Sequence, residues 1–489
     1  MTVFRRGPGM ALIALCVLLA ARAASMALLP LTDATEGRYA QVSQEMVATG
    51  DWVTPRIWME EAHLPFLGKP PLFFWAAAGA MKIFGANEFA ARLPSLLAAV
   101  ALLALLFSVM RRYGDAGSGL LSIMVTASCG FFVAVGGSVA VDMLFSACVA
   151  GSLLAYFAFV SEPERRIRRR WSLLVFLLLA LGFLTKGPVA VALFGLPVLI
   201  WTVRWRGWAQ LRDHRWVAGT LLFLALVVPW FALCEMRNPG FLKYFFVNEN
   251  LLRFVTHDYG DAYGGGHLYP RGSALLMFVA AAAPWSLWGI WLAFRGGPKG
   301  RPGNLADRQV EFLFFGFAAG VLFWCLARQL LFTYVLPMLP LFAAWLALVT
   351  RNETARKRML AATTALAAAM AVVSVVCVPL MRNTSTTREI VREAVRLADG
   401  GKSGEPLVFE RKTPYSALFY ARGWVMPHPK EKLEASLRRC VGHGRSVLVV
   451  VGSGRKKELK GLAPGCWSEL AVAGEWVLGR VIVSEGGPR

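Results

Sequence analysis

Apolar runs long enough to cross a bilayer recur through most of this chain, and they constrain its fold more than any other feature. They fall at about 10–31, 88–110, 116–136, 140–160, 170–185, 187–203, 216–236, 273–294, 311–327, 331–350 and 359–381. A helix needs roughly 20 apolar residues to cross a hydrocarbon core, and a soluble globule has no use for so many such runs. Residues 71–85 form one more apolar helix, too short to span with ease. The expected fold class is a polytopic α-helical membrane protein with about 11 spans, or about 13 if marginal segments cross. The chain is 56% hydrophobic and only 17% charged, which excludes an ordinary soluble enzyme and a disordered protein. The first run follows Arg5-Arg6 and contains Ala21-Arg22-Ala23, imitating a signal peptide. Its apolar character continues to Leu31, so an uncleaved first span is expected.

The net charge of +22 would suggest a nucleic-acid partner in a soluble protein. Its location argues otherwise. Segments 1–9, 110–115, 161–170, 204–215, 295–310 and 351–358 hold 21 Lys and Arg against 6 acids. The two long loops, 32–70 and 237–272, hold 7 against 9. Lys and Arg concentrate on the cytoplasmic side, so the long loops are expected to face outward. An odd number of spans places residues 382–489 outside too, provided that 71–85 is re-entrant or interfacial. The expected location is the cytoplasmic (inner) membrane, with membrane lipids as surroundings and no nucleic acid.

The division expected is a transmembrane part, 1–381, and a small soluble α/β domain, 382–489. In the latter, Arg388–Asp399 and Leu433–Val441 read as helices. Pro406–Phe409 and Ser446–Val451 read as strands, and Ser468–Ala473 with Trp476–Val483 as a hairpin. Cys440 and Cys466 could pair there if the tail is outside the cytoplasm. The other six cysteines lie in apolar runs, where a lone Cys is a small buried hydrophobe.

Ionisable groups beside spans are costly and default to functional hypotheses. Asp33, Glu36, Arg38 and Tyr39 follow the first span, suited to a base and an anion clamp, or to a solvated helix Gly37–Ala48. Lys69 precedes Pro70-Pro71 and a helix start, where free N–H groups favour an anion; a lysine snorkelling to headgroups is the alternative. Lys186-Gly187-Pro188 interrupts 171–203 and repeats that order, Lys, then Pro, then a helix beginning outside. Asp142 opens a span after Gly136-Gly137, as a functional acid or a simple cap. Arg328 and Tyr334 flank another outer turn. Loop 237–272 adds Glu249, Arg253, His257, Asp258, Asp261, Tyr263, His267 and Tyr269. The two histidines with Asp258 or Asp261 are compatible with a divalent metal, but their spacing matches no strong ligand pattern. No other cofactor is indicated. Acids suited to deprotonation and isolated cations on one membrane face suit a reaction on a lipid-borne phosphate.

Residues 33–100 resemble the membrane glycosyltransferases of the ArnT and protein O-mannosyltransferase superfamily. The matching text is TEGRYAQVSQEMVATGDWVTPR, GKPPLFFW and GANEFAARLPSLL. It continues with SVAVDM, FLTKGPVA, VVPWFALCEMRNPGFLKYFFVNENLLRF and TYVLPMLPLFAAW, in the family's order. The resemblance implies a GT-C fold. It also implies a polyprenyl-phosphate sugar donor, such as an undecaprenyl phosphate sugar, and inverting transfer at the extracytoplasmic face. The acceptor would be a lipid such as lipid A, a glycan or a protein of the cell envelope. It places the family's first-loop arginine and tyrosine on Arg38 and Tyr39, its loop lysine on Lys69, its second-loop aspartate on Asp142, its turn lysine on Lys186 and its late tyrosine on Tyr334; these cations and tyrosines, with Arg253 of loop 237–272, are the groups expected to bind the donor phosphate. The family's Asp-Glu before Arg-Tyr is Thr35-Glu36 here, with Asp33 nearby, and its Glu before Lys-Pro-Pro is Gly68. The expected catalytic groups are therefore Asp33, Glu36 and Asp142. The rival classes are a lipid or lipid-linked-sugar transporter, which would carry charges near the midplane in paired broken helices, and a non-catalytic scaffold.

Overall fold

The computed structural model describes residues 6–59, 62–205, 208–256, 259, 262–263, 267–294, 305–376, 378, 387–398, 405–410, 413–422, 424–426, 446–455 and 467–481. Seven helices among these are long and apolar enough to cross a bilayer, or nine spans if each of two bent pairs counts as one. The two other expected spans are the helices Arg165–Lys186, whose first turns are arginine-rich, and Val189–Trp205, which is short. Every expected apolar run thus has its helix, and this is a multi-pass membrane protein.

Two expected spans are not straight. Ser273–Ala281 and Trp285–Leu292 meet at 110°, because Pro284 lacks the N–H that would continue the helix. Ala116–Ala127 and Gly130–Gly136 meet at 73° around Ser128-Cys129. Neither break shows as a change in apolar content.

The chain forms two compact units. The first comprises Met1–Ala24, Leu67–Ala76 and Arg92–Val375. Its central helix is Val141–Ser161, with 83% of its apolar window buried, against 22% for the peripheral Glu353–Val376. Lipid is as apolar as leucine, so helices in it associate through close packing of small residues rather than hydrophobic expulsion. Ser146, Gly151 and Ser152 supply that surface. A Cβ on Gly151 would stand 3.2 Å from Leu178, and one on Gly182 would stand 3.2 Å from both Ala190 and Cys148. The serine hydroxyls donate to their own helix, Ser146 to the Asp142 carbonyl at 2.6 Å and Ser152 to that of Val149 at 2.8 Å. They therefore add no unmet donor to the apolar centre.

The second unit comprises Ser25–Phe66, Ala77–Ala91 and Val376–Arg489, so the C-terminal residues are grouped with the first long loop. Its hairpin pairs β1 (Arg56–Met59) with β2 (Ala62–Pro65), strands that alternation did not announce. Its five-stranded sheet uses β3 (Leu407–Phe409), β4 (Val425–Met426), β5 (Val447–Gly452), β6 (Trp467–Ala473) and β7 (Trp476–Val481), in the order β4-β3-β5-β7-β6. Strand β5 is a continuous apolar run, Val447 through Val451, buried on both faces, as a central strand between parallel β3 and antiparallel β7 allows. Strands β6 and β7 are the expected hairpin. Helices Arg388–Leu397 and Tyr415–Ala421 complete the α/β layer. Helix Thr35–Thr49 packs on Tyr415–Ala421, with the Gln44 amide donating to the Phe419 carbonyl at 3.2 Å. The expected helix Leu433–Val441 and the pair Cys440 and Cys466 lie outside the described residues.

Candidate active site

In the first unit, three cations and two acids gather around a cavity of about 320 Å³. The segment Leu67–Pro71 places Lys69 just ahead of helix Leu72–Phe84. The Tyr263 hydroxyl holds this segment by accepting from the Leu67 N–H at 2.8 Å. The opposite wall is a run of wide π-type turns, Tyr244–Leu252, a geometry found often at functional sites. It aims Glu249 inward. Glu249 Oε1 accepts from Lys69 Nζ and also from Arg253 Nη1, the latter at 2.5 Å. Its side chain is only 5% exposed. One buried carboxylate therefore bridges two cations. Burial lowers the Lys69 pKa to about 8, against the opposing pull of Glu249.

Lys186 and Asp142 form the second pair, with Lys186 Nζ donating to Asp142 Oδ1 at 2.5 Å. The expectation set Lys186 ahead of the helix that follows. It stands there, ahead of Val189–Trp205, and is also the last residue of Arg165–Lys186, while Asp142 is the second of Val141–Ser161. A cation at a helix C-terminus and an acid at an N-terminus both agree with the helix dipoles. The Tyr334 ring lies under Lys186 Nζ, 3.8 Å from centroid to nitrogen, and packs on Trp324 at 4.5 Å. Tyr334 thus offers its face to a cation.

Gly187 explains the turn. Its φ is +82°, and a Cβ there would stand 2.6 Å from the Phe245 ring. Only glycine lets that ring close against the turn that ends on Lys186. The loop after the π-type turns is pinned by backbone bonds, Arg328 N–H to the Phe254 carbonyl and Leu330 N–H to the His267 carbonyl, each 3.0 Å. The indole N–H of Trp324, which borders the cavity, is buried with no hydrogen-bond partner among the described residues.

Lys69, Arg253, Lys186 and Tyr334 all border this one cavity, and Asp142 pairs with Lys186. Asp33, Glu36, Arg38 and Tyr39 belong to the second unit. There Asp33 Oδ1 accepts from the Ser416 N–H at 3.0 Å and Oδ2 from the Ser416 hydroxyl. Glu36 accepts from the Thr32 N–H at 3.1 Å and its hydroxyl at 2.9 Å. Arg38 lies 5.4 Å from the Tyr39 ring centroid, and that ring meets Phe66 edge-on. Among the described residues no three His, Cys, Asp or Glu gather to hold a metal; His257, Asp258 and Asp261 lie outside them. Sequence reasoning named Glu249 without a role. The signal was its place four residues before Arg253, a spacing that pairs acid with base on a helix.

Residues 68–232 match the family described as dolichyl-phosphate-mannose-protein mannosyltransferase. An undecaprenyl phosphate-alpha-4-amino-4-deoxy-L-arabinose arabinosyl transferase of Pseudomonas aeruginosa is 31% identical over 320 residues, covering 63% of this chain and 53% of that protein. Its counterpart from Edwardsiella ictaluri is 27% identical, covering 62% and 52%. The chain spans about half the length of the curated relatives it matches. The crystal structure of ArnT from Cupriavidus metallidurans bound to undecaprenyl phosphate superposes with a TM-score of 0.77 at 20% identity, covering 98% of this chain and 99% of that one. The chain has the fold of that ArnT. The apo form of the same ArnT gives a TM-score of 0.75. The family match begins at Gly68, so it takes in Lys69, Asp142 and Lys186. Arg253 and Tyr334 lie beyond the matched residues, and the fold brings them to the same cavity.

Proposed function

We propose that this protein is a glycosyltransferase that moves a sugar from a polyprenyl-phosphate donor to a lipid, glycan or protein acceptor. The reaction would occur at the outer face of the cytoplasmic membrane. The observation that carries this reading is the cavity where Lys69, Arg253 and Lys186 converge beside apolar walls. Isolated, buried cations at the end of a helix bundle suit a lipid-borne phosphate: the charges bind the anion and the bundle shelters the tail. Helix Val189–Trp205 supports the same reading. Its first turn borders this cavity, and its later turns border an apolar cavity of about 410 Å³. The named arabinosyl transferases that the chain resembles point to an undecaprenyl phosphate carrier.

The step is an inverting displacement. The acceptor oxygen or nitrogen forms a bond to the anomeric carbon as the sugar–phosphate C–O bond breaks. The phosphate keeps the electron pair, and the acceptor proton passes to a carboxylate. Asp142 orients a reactant, and Lys69, Arg253, Lys186 and Tyr334 hold the leaving phosphate. The unmet indole N–H of Trp324 suits a further contact to donor oxygens, since a buried donor left unmet costs about 1–3 kcal/mol. The test is incubation of purified protein with labelled polyprenyl-phosphate sugars and a crude envelope acceptor. Transfer of label supports the reading; intact donor across a broad panel of sugars and acceptors overturns it.

A further inference from the structure

We propose that Glu249 is a resident counter-charge that tunes the cavity to a singly charged phosphodiester and against the doubly charged monoester left after transfer. This rests on the phosphate reading above. Lys69, Lys186 and Arg253 bring three positive charges to the cavity. Glu249 is held by two of them and Asp142 by the third. The cluster therefore carries a formal charge of one, positive. A polyprenyl-phosphate sugar is a diester with one negative charge. When its sugar–phosphate bond breaks, the phosphate keeps the electron pair and becomes a monoester, which carries about −1.5 to −2 near pH 7. The donor is matched by the cluster and the product exceeds it.

Glu249 is placed to impose this mismatch. It is buried at the bottom of the contact between Lys69 and Arg253, so water screens it little. It competes directly with a second phosphate charge for the same two cations. A simple structural partner for Lys69 would not distinguish the two esters. As a positioning residue, Glu249 therefore has a readout that mere support lacks, the ratio of diester to monoester affinity.

The probes are farnesyl phosphate and its methyl phosphodiester, which share a tail and differ in charge. Their binding to the detergent-solubilised full chain is measured for the wild type, Glu249→Gln and Lys69→Ala. The Gln variant is expected to shift the affinity ratio toward the monoester by about tenfold, the order of one unit charge at an incompletely screened site. Lys69→Ala should weaken both esters. An unchanged ratio in Glu249→Gln, with both esters bound by the wild type and weakened by Lys69→Ala, overturns the counter-charge and leaves the clamp standing. Absence of binding by either ester to the wild type overturns both. Should Glu249→Gln fail to fold, the wild type still decides. Near pH 5.5 the monoester is mostly singly charged, so its disadvantage should vanish there and return at pH 7.5. A ratio equal at both values overturns the proposal.

Discussion

The two units handle their acids in opposite ways. In the first, Glu249 and Asp142 are tied to Lys69, Arg253 and Lys186 through charge-assisted bonds around a cavity. In the second, Asp33 and Glu36 are met by hydroxyls and backbone N–H groups of Ser416 and Thr32. Buried ion pairs keep cations charged and available to a competing anion. Carboxylates on hydroxyls and amides organise the chain, and burial raises the Asp33 pKa against the hydrogen bonds it accepts. The first arrangement suits a clamp, and the second suits either a proton acceptor or a fastening between helix Thr35–Thr49 and Tyr415–Ala421.

The largest expected effect tests the clamp. Lys69→Ala should lower turnover of a labelled polyprenyl-phosphate sugar by about 10²–10³-fold, the usual cost of removing one group that stabilises developing charge. Full activity in this variant would erase the contrast between the units.

Asp33→Ala addresses the other side. It leaves the N–H of the fully buried Ser416 without its acceptor, so stability should fall by about 1–3 kcal/mol. Thermal unfolding measures this. A loss of turnover at temperatures where the variant remains folded would show that Asp33 is more than a fastening.

Gly187→Ala forces a Cβ at a φ of +82° and against Phe245. Strain of about 1–3 kcal/mol is expected, with donor affinity falling because the turn holds Lys186. Equal donor affinity in this variant would separate the turn from the clamp.

The smallest effect is on pH. With the Lys69 pKa lowered to about 8, its ammonium is present below that value and lost as pH rises through it. Phosphate affinity should therefore decline above pH 8, by at most about tenfold per unit. A phosphate that binds also draws the pKa back up, so binding above pH 8 takes up a proton. Lys69→Arg should flatten this profile, because arginine stays charged; a profile unchanged by that substitution would assign the decline to another group.

Much of the fold was legible because a bilayer demands long apolar segments, and every expected run between 10 and 381 became a helix or a bent pair. The breaks at Ser128-Cys129 and Pro284 were not legible as bends, since local hydropathy is blind to direction. Hairpin β1–β2 was missed because its residues mix polar and apolar types without clean alternation. Of the site, Lys69, Asp142, Lys186, Arg253 and Tyr334 stood out because charge or turn chemistry interrupts an apolar background. Which of them pair, and that Glu249 joins two of them, was not legible.

The sequence by itself determined that this is a many-span helical protein whose conspicuous cations are few and isolated. Periodicity and transfer energy are local properties, readable one segment at a time. Only the tertiary structure decided that Glu249 joins Lys69 to Arg253 across 180 residues of separation, that Lys186 ends one helix facing Asp142 at the start of another, and that the first long loop belongs with the C-terminal sheet. Pairing energies fall steeply with distance, so they depend on which segments the packing of small residues brings together, and no single segment carries that information.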